Sequence, residues 1–121
     1  MIGYVTVGTN DLPRAAAFYD ALLGTLGAKR AWEGEGGIGW AGRNGITLAV
    51  MKPFDGQPAT IGNGVMVALS MKTNEAVDGF YAKALELGAK DEGAAGARGT
   101  NFYAGYFRDP DGNKLCGFCM A

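Results

Sequence analysis

Two stretches of the chain alternate between apolar and polar positions, and they stand at corresponding places in its two halves. In residues 4–8, Val5 and Val7 alternate with Tyr4 and Thr6, and residues 66–71 repeat the pattern. A period of two is typical of a β-strand whose two faces meet different surroundings. The pattern therefore predicts a first strand in each half.

A helix is predicted after the first strand. Asp11 is a favourable N-cap, and Pro13 is tolerated in the first turn, where its missing N–H costs nothing. Apolar residues then recur at helical spacing over residues 12–26, and Gly27 can end the helix in the left-handed conformation.

The second half repeats this design. Thr73 or Asn74 is the predicted cap of a second helix, which has an apolar stripe over residues 77–87 and ends at Gly88. The dipeptide Phe18-Tyr19 also returns as Phe80-Tyr81. A repeat of this kind indicates two similar modules.

Short β-prone stretches separated by glycine follow each helix. They lie at residues 28–34, 37–42 and 46–52 and at residues 89–94, 102–108 and 113–119. The dipeptides Asn44-Gly45 and Asp111-Gly112 are typical of tight hairpin turns. We therefore predict an α+β protein with two tandem βαβββ modules.

The modules are expected to form one domain over residues 1–121. Module one covers about residues 1–52, a linker rich in proline and glycine covers 53–63, and module two covers about 64–121. One compact domain is the expected size for such a chain.

The charge balance excludes some classes of partner. Eleven Lys and Arg stand against 12 Asp and Glu, for a formal net charge of -1, and they are spread along the chain. No basic stripe is present to neutralise phosphates, so nucleic acid is not an expected partner. No apolar run approaches the length of a membrane span, and we expect a cytoplasmic protein without a membrane partner.

The two cysteines, Cys116 and Cys119, have the C-x-x-C spacing of redox proteins. A redox pair needs its first cysteine at a helix N-terminus, whereas this segment has the pattern of a strand. We therefore interpret both as reduced, packed residues.

Three features together resemble the vicinal oxygen chelate superfamily, also called the glyoxalase/bleomycin resistance/dioxygenase family. They are the segment Asn10-Asp-Leu-Pro-Arg-Ala-Ala-Ala-Phe-Tyr19, the internal repeat and the ending Phe107-Arg-Asp-Pro-Asp-Gly-Asn-Lys-Leu-Cys116. The likeness covers the whole chain, and Arg108–Asn113, which we interpret as a structural turn, is its most specific part. The resemblance implies a cupped mixed β-sheet with helices on its outer face, commonly completed by a homodimer.

The resemblance also locates four positions that hold a divalent metal in many members, usually through histidine and glutamate. They fall at Tyr4, Ala49, Met66 and Cys116, and the chain contains no histidine. Such residues do not suit a hard or borderline divalent ion. Copper(I) bound by Met66 and Cys116 is an alternative, but an apolar pocket fits better. We expect no metal and no other cofactor.

The predicted ligand pocket is apolar and aromatic, with a few hydroxyls. Aromatic residues at such positions are also common in cores, and the pattern leaves both roles open. Arg98 is the best candidate for binding an anion, with a solvated surface role as the alternative. The candidate pocket residues are Tyr4, Thr6, Trp40, Ala49, Met66, Phe102, Tyr103, Cys116 and Phe118.

Three functions remain open at this point. The favoured one is a metal-independent small-molecule binding protein, by analogy with the drug-sequestering members of the family. The second is a lyase, isomerase or dioxygenase-type enzyme that uses an unrecognised site. The third is a structural or interaction role through the dimer surface.

Overall fold

The computed structural model describes residues 1–43 and 45–120. The predicted turn residue Asn44 lies outside the described residues. The helices and strands are β1 (Tyr4–Gly8), α1 (Leu12–Gly24), β2 (Lys29–Gly34), β3 (Gly37–Ala41), β4 (Thr47–Met51), β5 (Val67–Ser70), α2 (Asn74–Glu86), β6 (Lys90–Ala97), β7 (Phe102–Arg108) and β8 (Lys114–Met120).

The strands form two four-stranded mixed sheets of the same topology. The first has the order β1-β4-β3-β2 and the second the order β5-β8-β7-β6. In each, the first strand pairs in parallel with the last strand of its module, and the remaining pairs are antiparallel. The predicted α+β fold of two tandem βαβββ modules is confirmed.

The chain divides into two compact units, residues 1–61 and 62–121. Residues 52–66 contain neither helix nor strand. The first part of this connection is held to unit one, because the Asn10 side chain pairs with the backbone of Ala59. Asn10 Nδ2 donates to the Ala59 carbonyl at 3.1 Å, and the Ala59 N–H donates to Asn10 Oδ1 at 2.7 Å.

In unit one, α1 covers one face of the first sheet. The apolar residues Ile38, Leu48 and Val50 lie on that face and are buried. The ring of Trp40 lies among them, 5.6 Å from the ring of Tyr19 on α1. The core of this unit therefore lies between α1 and the sheet.

In unit two, α2 covers one face of the second sheet in the same way. The ring of Phe80 lies 5.7 Å from that of Phe107 on β7. Gly117 on β8 is required there, because a Cβ at that position would stand 2.9 Å from Phe80 Cδ2 and 2.9 Å from Met71 Cε. The helix can approach the sheet closely only where no side chain intervenes.

The helix ends follow the predictions. The Asp11 carboxylate accepts a hydrogen bond from the Arg14 N–H at 3.1 Å, and Thr73, not Asn74, caps α2 by accepting from the Ala76 N–H at 3.0 Å. Gly27 and Gly88 have φ of 78° and 97°, the left-handed conformation that ends each helix region. Within residues 1–43 and 45–120, no helix is long and apolar enough to cross a membrane.

Candidate functional site

Each sheet has a second face that its own helix does not cover, and we call it the helix-free face. Strand register determines which residues it carries, because directly paired residues point to the same side. The pairs Thr6–Ala49 and Ala49–Gly39 align β1, β4 and β3 in the first sheet. Its helix-free face carries Tyr4, Thr6, Trp32, Gly37, Gly39, Ala41, Thr47, Ala49 and Met51.

Aromatic side chains at the helix-free face of the first sheet remain open to solvent. Tyr4 is 69% exposed and Trp32 is 44% exposed. The indole of Trp32 lies against Gly39, where an added Cβ would be only 2.5 Å from Nε1. Glycine at this position therefore allows the ring to lie on the sheet.

A cleft of about 490 Å³ adjoins this face at the end of β1 and β4. Thr6 and Met51 contribute the sheet side of the cleft, and Phe54, Pro58 and Ala59 of the connection contribute the other side. This volume lies in the range of small-molecule sites. Thr6 was predicted as a pocket residue, whereas the contribution of the connection was not.

The helix-free face of the second sheet is arranged by the pairs Ala104–Phe118, Tyr106–Cys116 and Ala68–Cys116. The rings of Phe102 and Phe118 stack on it, with centroids 5.6 Å apart and planes inclined by 23°. Both are only partly buried. The face carries Ala68, Ser70, Phe102, Ala104, Tyr106, Arg108, Lys114, Cys116 and Phe118.

Two cations flank Tyr106 on this second face. Arg98 Cζ lies 5.4 Å from the centroid of the Tyr106 ring, and Lys114 Nζ lies 5.5 Å from it. Both distances are within the range of cation–π attraction. Arg108 is held differently, since its Nε donates to Glu92 Oε1 at 2.6 Å.

Two of the predicted pocket residues do not share a face with the others. Trp40 is 2% exposed and lies under α1, where its Nε1 donates to Asp20 Oδ1 at 2.8 Å. Tyr103 also points to the helix side, and its hydroxyl donates to Asp78 Oδ1 on α2 at 2.6 Å. That hydrogen bond raises the pKa of the Tyr103 hydroxyl. Neither shares a face with Tyr4 or Phe102, because each is one residue out of phase with the helix-free positions of its strand.

The other predicted residues fall into two groups. Tyr4, Thr6 and Ala49 lie together on the first helix-free face. Phe102, Cys116 and Phe118 lie together on the second. Met66 stands immediately before β5, is 41% exposed, and has the same strand phase as Ala68.

The four positions at which related proteins hold a metal do not offer a suitable donor set. Ala49 has no donor atom and is fully buried, and Met66 offers only a thioether. Burial raises the pKa of the Cys116 thiol, which disfavours the thiolate that metals bind. Within the described residues, no three or more His, Cys, Asp or Glu side chains form a group that could hold a metal ion. The divalent ion of the family therefore does not fit these residues.

Cys116 and Cys119 are free and buried. Cys116 pairs with Tyr106 on the helix-free face, whereas Cys119 pairs with Tyr103, which points to α2. The two thiols therefore point to opposite sides of β8, as expected for strand residues three apart.

The sequence pattern did not predict that residues of the connection line the cleft of unit one. Their position depends on the contact between Asn10 and Ala59, which are distant in the sequence. No local pattern signals such a contact, although an asparagine immediately before a helix cap is a residue that often bonds to backbone.

Comparison with known proteins agrees with this architecture. The model of the Glyoxalase/Bleomycin resistance protein/Dioxygenase superfamily matches residues 1–116. None of the curated proteins matches the chain. A crystal structure of a glyoxalase/bleomycin resistance protein from Albidiferax ferrireducens T118 is 37% identical, with a TM-score of 0.92, and the match covers 100% of this chain and 99% of that one.

More distant structures share the fold. Hypothetical protein SA1046 from S. aureus is 25% identical, with a TM-score of 0.78 and coverage of 98% of this chain and 92% of that one. Lactoylglutathione lyase from Agrobacterium tumefaciens is 18% identical, with a TM-score of 0.75 and the same two coverages, a likeness of fold alone. On the family match over residues 1–116 and the repeated βαβββ architecture, the chain belongs to the glyoxalase/bleomycin resistance protein/dioxygenase superfamily.

Proposed function

We propose that this protein binds a small organic molecule without a metal ion, through the helix-free faces of its sheets. The observation that carries the proposal is the exposure of aromatic side chains on these faces. Tyr4 and Trp32 stand open on the first sheet, and the stacked Phe102 and Phe118 are only partly buried on the second. Partly exposed aromatic surface of this kind is the usual lining of small-molecule sites.

The side-chain chemistry of the four family metal positions supports the metal-independent part of the proposal. They supply a phenol, a methyl group, a thioether and a buried thiol at Tyr4, Ala49, Met66 and Cys116. Polarising a substrate oxygen by a Lewis acid requires an ion held by several anionic or imidazole ligands. Binding through apolar contact and a few hydroxyls requires no such ligands.

The two tryptophans provide a direct test. Trp32 lies on a helix-free face, whereas Trp40 is buried under α1. A library of aromatic compounds is screened by tryptophan fluorescence, and the hits are titrated against the wild type, Trp32→Phe and Trp40→Phe. Binding at the first face predicts that the fluorescence change disappears in Trp32→Phe and persists in Trp40→Phe, because only Trp32 touches the ligand.

The metal-independent part of the proposal is tested in the same titrations. We expect an unchanged dissociation constant after dialysis against EDTA and after addition of zinc or manganese. Binding that disappears with EDTA and returns with one of these ions would contradict the proposal. A complete lack of hits by fluorescence and by calorimetry would contradict the binding function itself.

A further inference from the structure

The helix-free face of the second sheet is positively charged, in a chain whose formal net charge is -1. Lys90 and Arg108 are paired in the register of β6 and β7, Lys114 is paired with Arg108, and Arg98 stands over Tyr106. Glu92 forms an ion pair with Arg108 at 2.6 Å, and the charges of Lys114 and Lys90 also act on it. The hydrogen bond from Arg108, followed by the charges of Lys114 and Lys90, lowers the pKa of Glu92.

The cations on this face differ in whether they are already neutralised. Arg108 is engaged by Glu92 at 2.6 Å and also donates to the Gly112 carbonyl at 3.1 Å. Among the described residues, Arg98 donates only to backbone carbonyls, to Ala94 at 2.7 Å and more weakly to Ala97. Within residues 1–43 and 45–120, neither Arg98 nor Lys114 forms an ion pair with a carboxylate. Two positive charges therefore remain available around the Tyr106 ring.

The same face becomes apolar along the strands. On β8, Lys114, Cys116 and Phe118 follow one another on this side, and Phe118 stacks on Phe102. Lys114 Nζ lies over Tyr106, which pairs with Cys116. Along β8, Cys116 and Phe118 are one two-residue repeat apart, about 7 Å, so Tyr106 is a direct neighbour of the phenylalanine stack on this face.

The two cations beside an aromatic stack suit a ligand that is both aromatic and negatively charged. An aromatic body would cover the partly exposed Phe102–Phe118 stack, and an anionic group on it would reach Lys114 and Arg98. Lysine and arginine form charge-assisted hydrogen bonds with carboxylate and sulfonate oxygens, which are stronger than neutral ones. A neutral molecule of the same shape would leave both cations without an anion.

We infer that the second helix-free face selects aromatic organic anions, with Lys114 and Arg98 binding the anionic group and Phe102 and Phe118 binding the aromatic body. This inference rests on the proposed small-molecule binding function and specifies the ligand class for one of the two faces. Lys114 and Arg98 act as binding residues in it, and no bond is made or broken.

A matched pair of fluorescent probes tests the inference. The dye 8-anilinonaphthalene-1-sulfonate carries an anion on two aromatic groups, and N-phenyl-1-naphthylamine has the same aromatic framework without the sulfonate. Both are titrated into the untagged full chain, with circular dichroism as a check that each variant is folded. We expect the sulfonate to bind at least about tenfold more tightly, the size of one charge-assisted contact.

Variants of the cations separate the charge from the apolar surface. Lys114→Met is expected to weaken binding of the sulfonate about tenfold and to leave binding of the neutral probe unchanged, whereas Lys114→Arg retains most of the preference. Arg98→Met should act in the same direction. Lys83→Met is the control, because it removes the same charge from α2, away from the helix-free face. Lys83 is paired there with Glu86 at 3.5 Å.

Variants of the aromatic stack complete the design. Phe118→Ala is expected to weaken both probes, and Phe102→Ala serves the same purpose if the first variant is unfolded. Equal affinities for the two probes, or equal effects of Lys114→Met and Lys83→Met, would overturn the inference while leaving small-molecule binding intact. Failure of both probes to bind, together with a library screen without hits, would overturn the proposed function as well.

Discussion

A single-residue change of phase along a strand decides which side chains reach the candidate sites. Trp40 and Tyr103 are aromatic, lie on interior strands and were predicted to line a pocket, yet both point to a helix. Their neighbours Gly39 and Phe102 occupy the helix-free side instead. Composition and β-propensity identify such residues as aromatic strand residues, but the side they face depends on pairing with distant strands.

Bulges make this phase harder to infer from local pattern. The register of β2 against β3 shifts between Arg30 and Trp32, and that of β6 against β7 shifts around Gly93. An extra residue in one strand reverses the side of every later residue relative to simple alternation. Tyr4, Thr6, Cys116 and Phe118 lie on strands whose pairing shows no such shifts, so simple alternation gives the side of each.

The indole N–H of the buried Trp40 donates to Asp20, whose contribution to stability depends on pH. The Asp20 carboxylate accepts two hydrogen bonds from Arg30, at 2.9 and 2.7 Å, and one from Trp40 Nε1 at 2.8 Å. The Arg30 hydrogen bond lowers the pKa of Asp20 below its ordinary value of 3.8. The stabilisation from its ionised form is therefore fully present above that value and is lost as the pH falls through the lower folded-state pKa.

Asp20→Asn tests this contact, because the amide oxygen can still accept from Trp40 while the charge is lost. We expect a free energy of unfolding lower by up to about 1 kcal/mol at pH 7, since the pair is partly exposed, and a smaller difference at pH 2.5. Urea titrations at the two pH values measure it. Asp55→Asn removes the same charge from the linker and reports the effect of net charge. An equal Asp20→Asn effect at both pH values would contradict the assignment.

At the scale of elements, the sequence predicted the helices and strands closely, because their signals are local. The caps at Asp11 and Thr73 and the left-handed glycines Gly27 and Gly88 are all in place. The connection after β4 was the exception. Residues of this connection line a cleft because Ala59 pairs with the Asn10 side chain, a contact that no local rule predicts.

The turn between β7 and β8 depends on Asp109, which is 4% exposed. Asp109 Oδ1 accepts from the N–H groups of Asp111 and Asn113, and Oδ2 accepts from Asn113 Nδ2, each at 2.9 Å. The turn closes the hairpin whose strands carry Tyr106, Cys116 and Phe118. The turn in Arg108–Asn113, the part of the chain most specific to the family resemblance, therefore stabilises the pairing of the two strands that carry the second helix-free face.

Asp109→Ala is expected to lower the free energy of unfolding by about 1 to 2 kcal/mol, because it removes the acceptor of two partly buried backbone N–H groups. Asp109→Asn removes the same charge but retains one carbonyl oxygen, and we expect roughly half the loss. Urea denaturation monitored by circular dichroism measures both. Equal losses in the two variants would show that the charge, and not the hydrogen bonds, stabilises the turn.

At the scale of the whole molecule, the sequence predicted the superfamily and the repeated fold, and the structure and the comparisons confirm both. The family likeness did not determine the function, because a fold can be retained while the residues of its site are replaced. At the four positions where the resemblance implies metal ligands, this chain carries Tyr4, Ala49, Met66 and Cys116. The homodimer remains a prediction, as does the cytoplasmic location.

The most direct test of metal-independent binding is native mass spectrometry of untagged protein expressed in rich medium, since a histidine tag would add metal ligands that the chain lacks. The spectrum reports bound metal, retained ligand and oligomeric state together. We predict a mass free of metal, also after incubation with equimolar zinc, nickel or manganese. We also predict an added small organic mass, either retained from expression or seen after incubation with a hit of the screen. A stoichiometric divalent ion that survives buffer exchange would contradict the account.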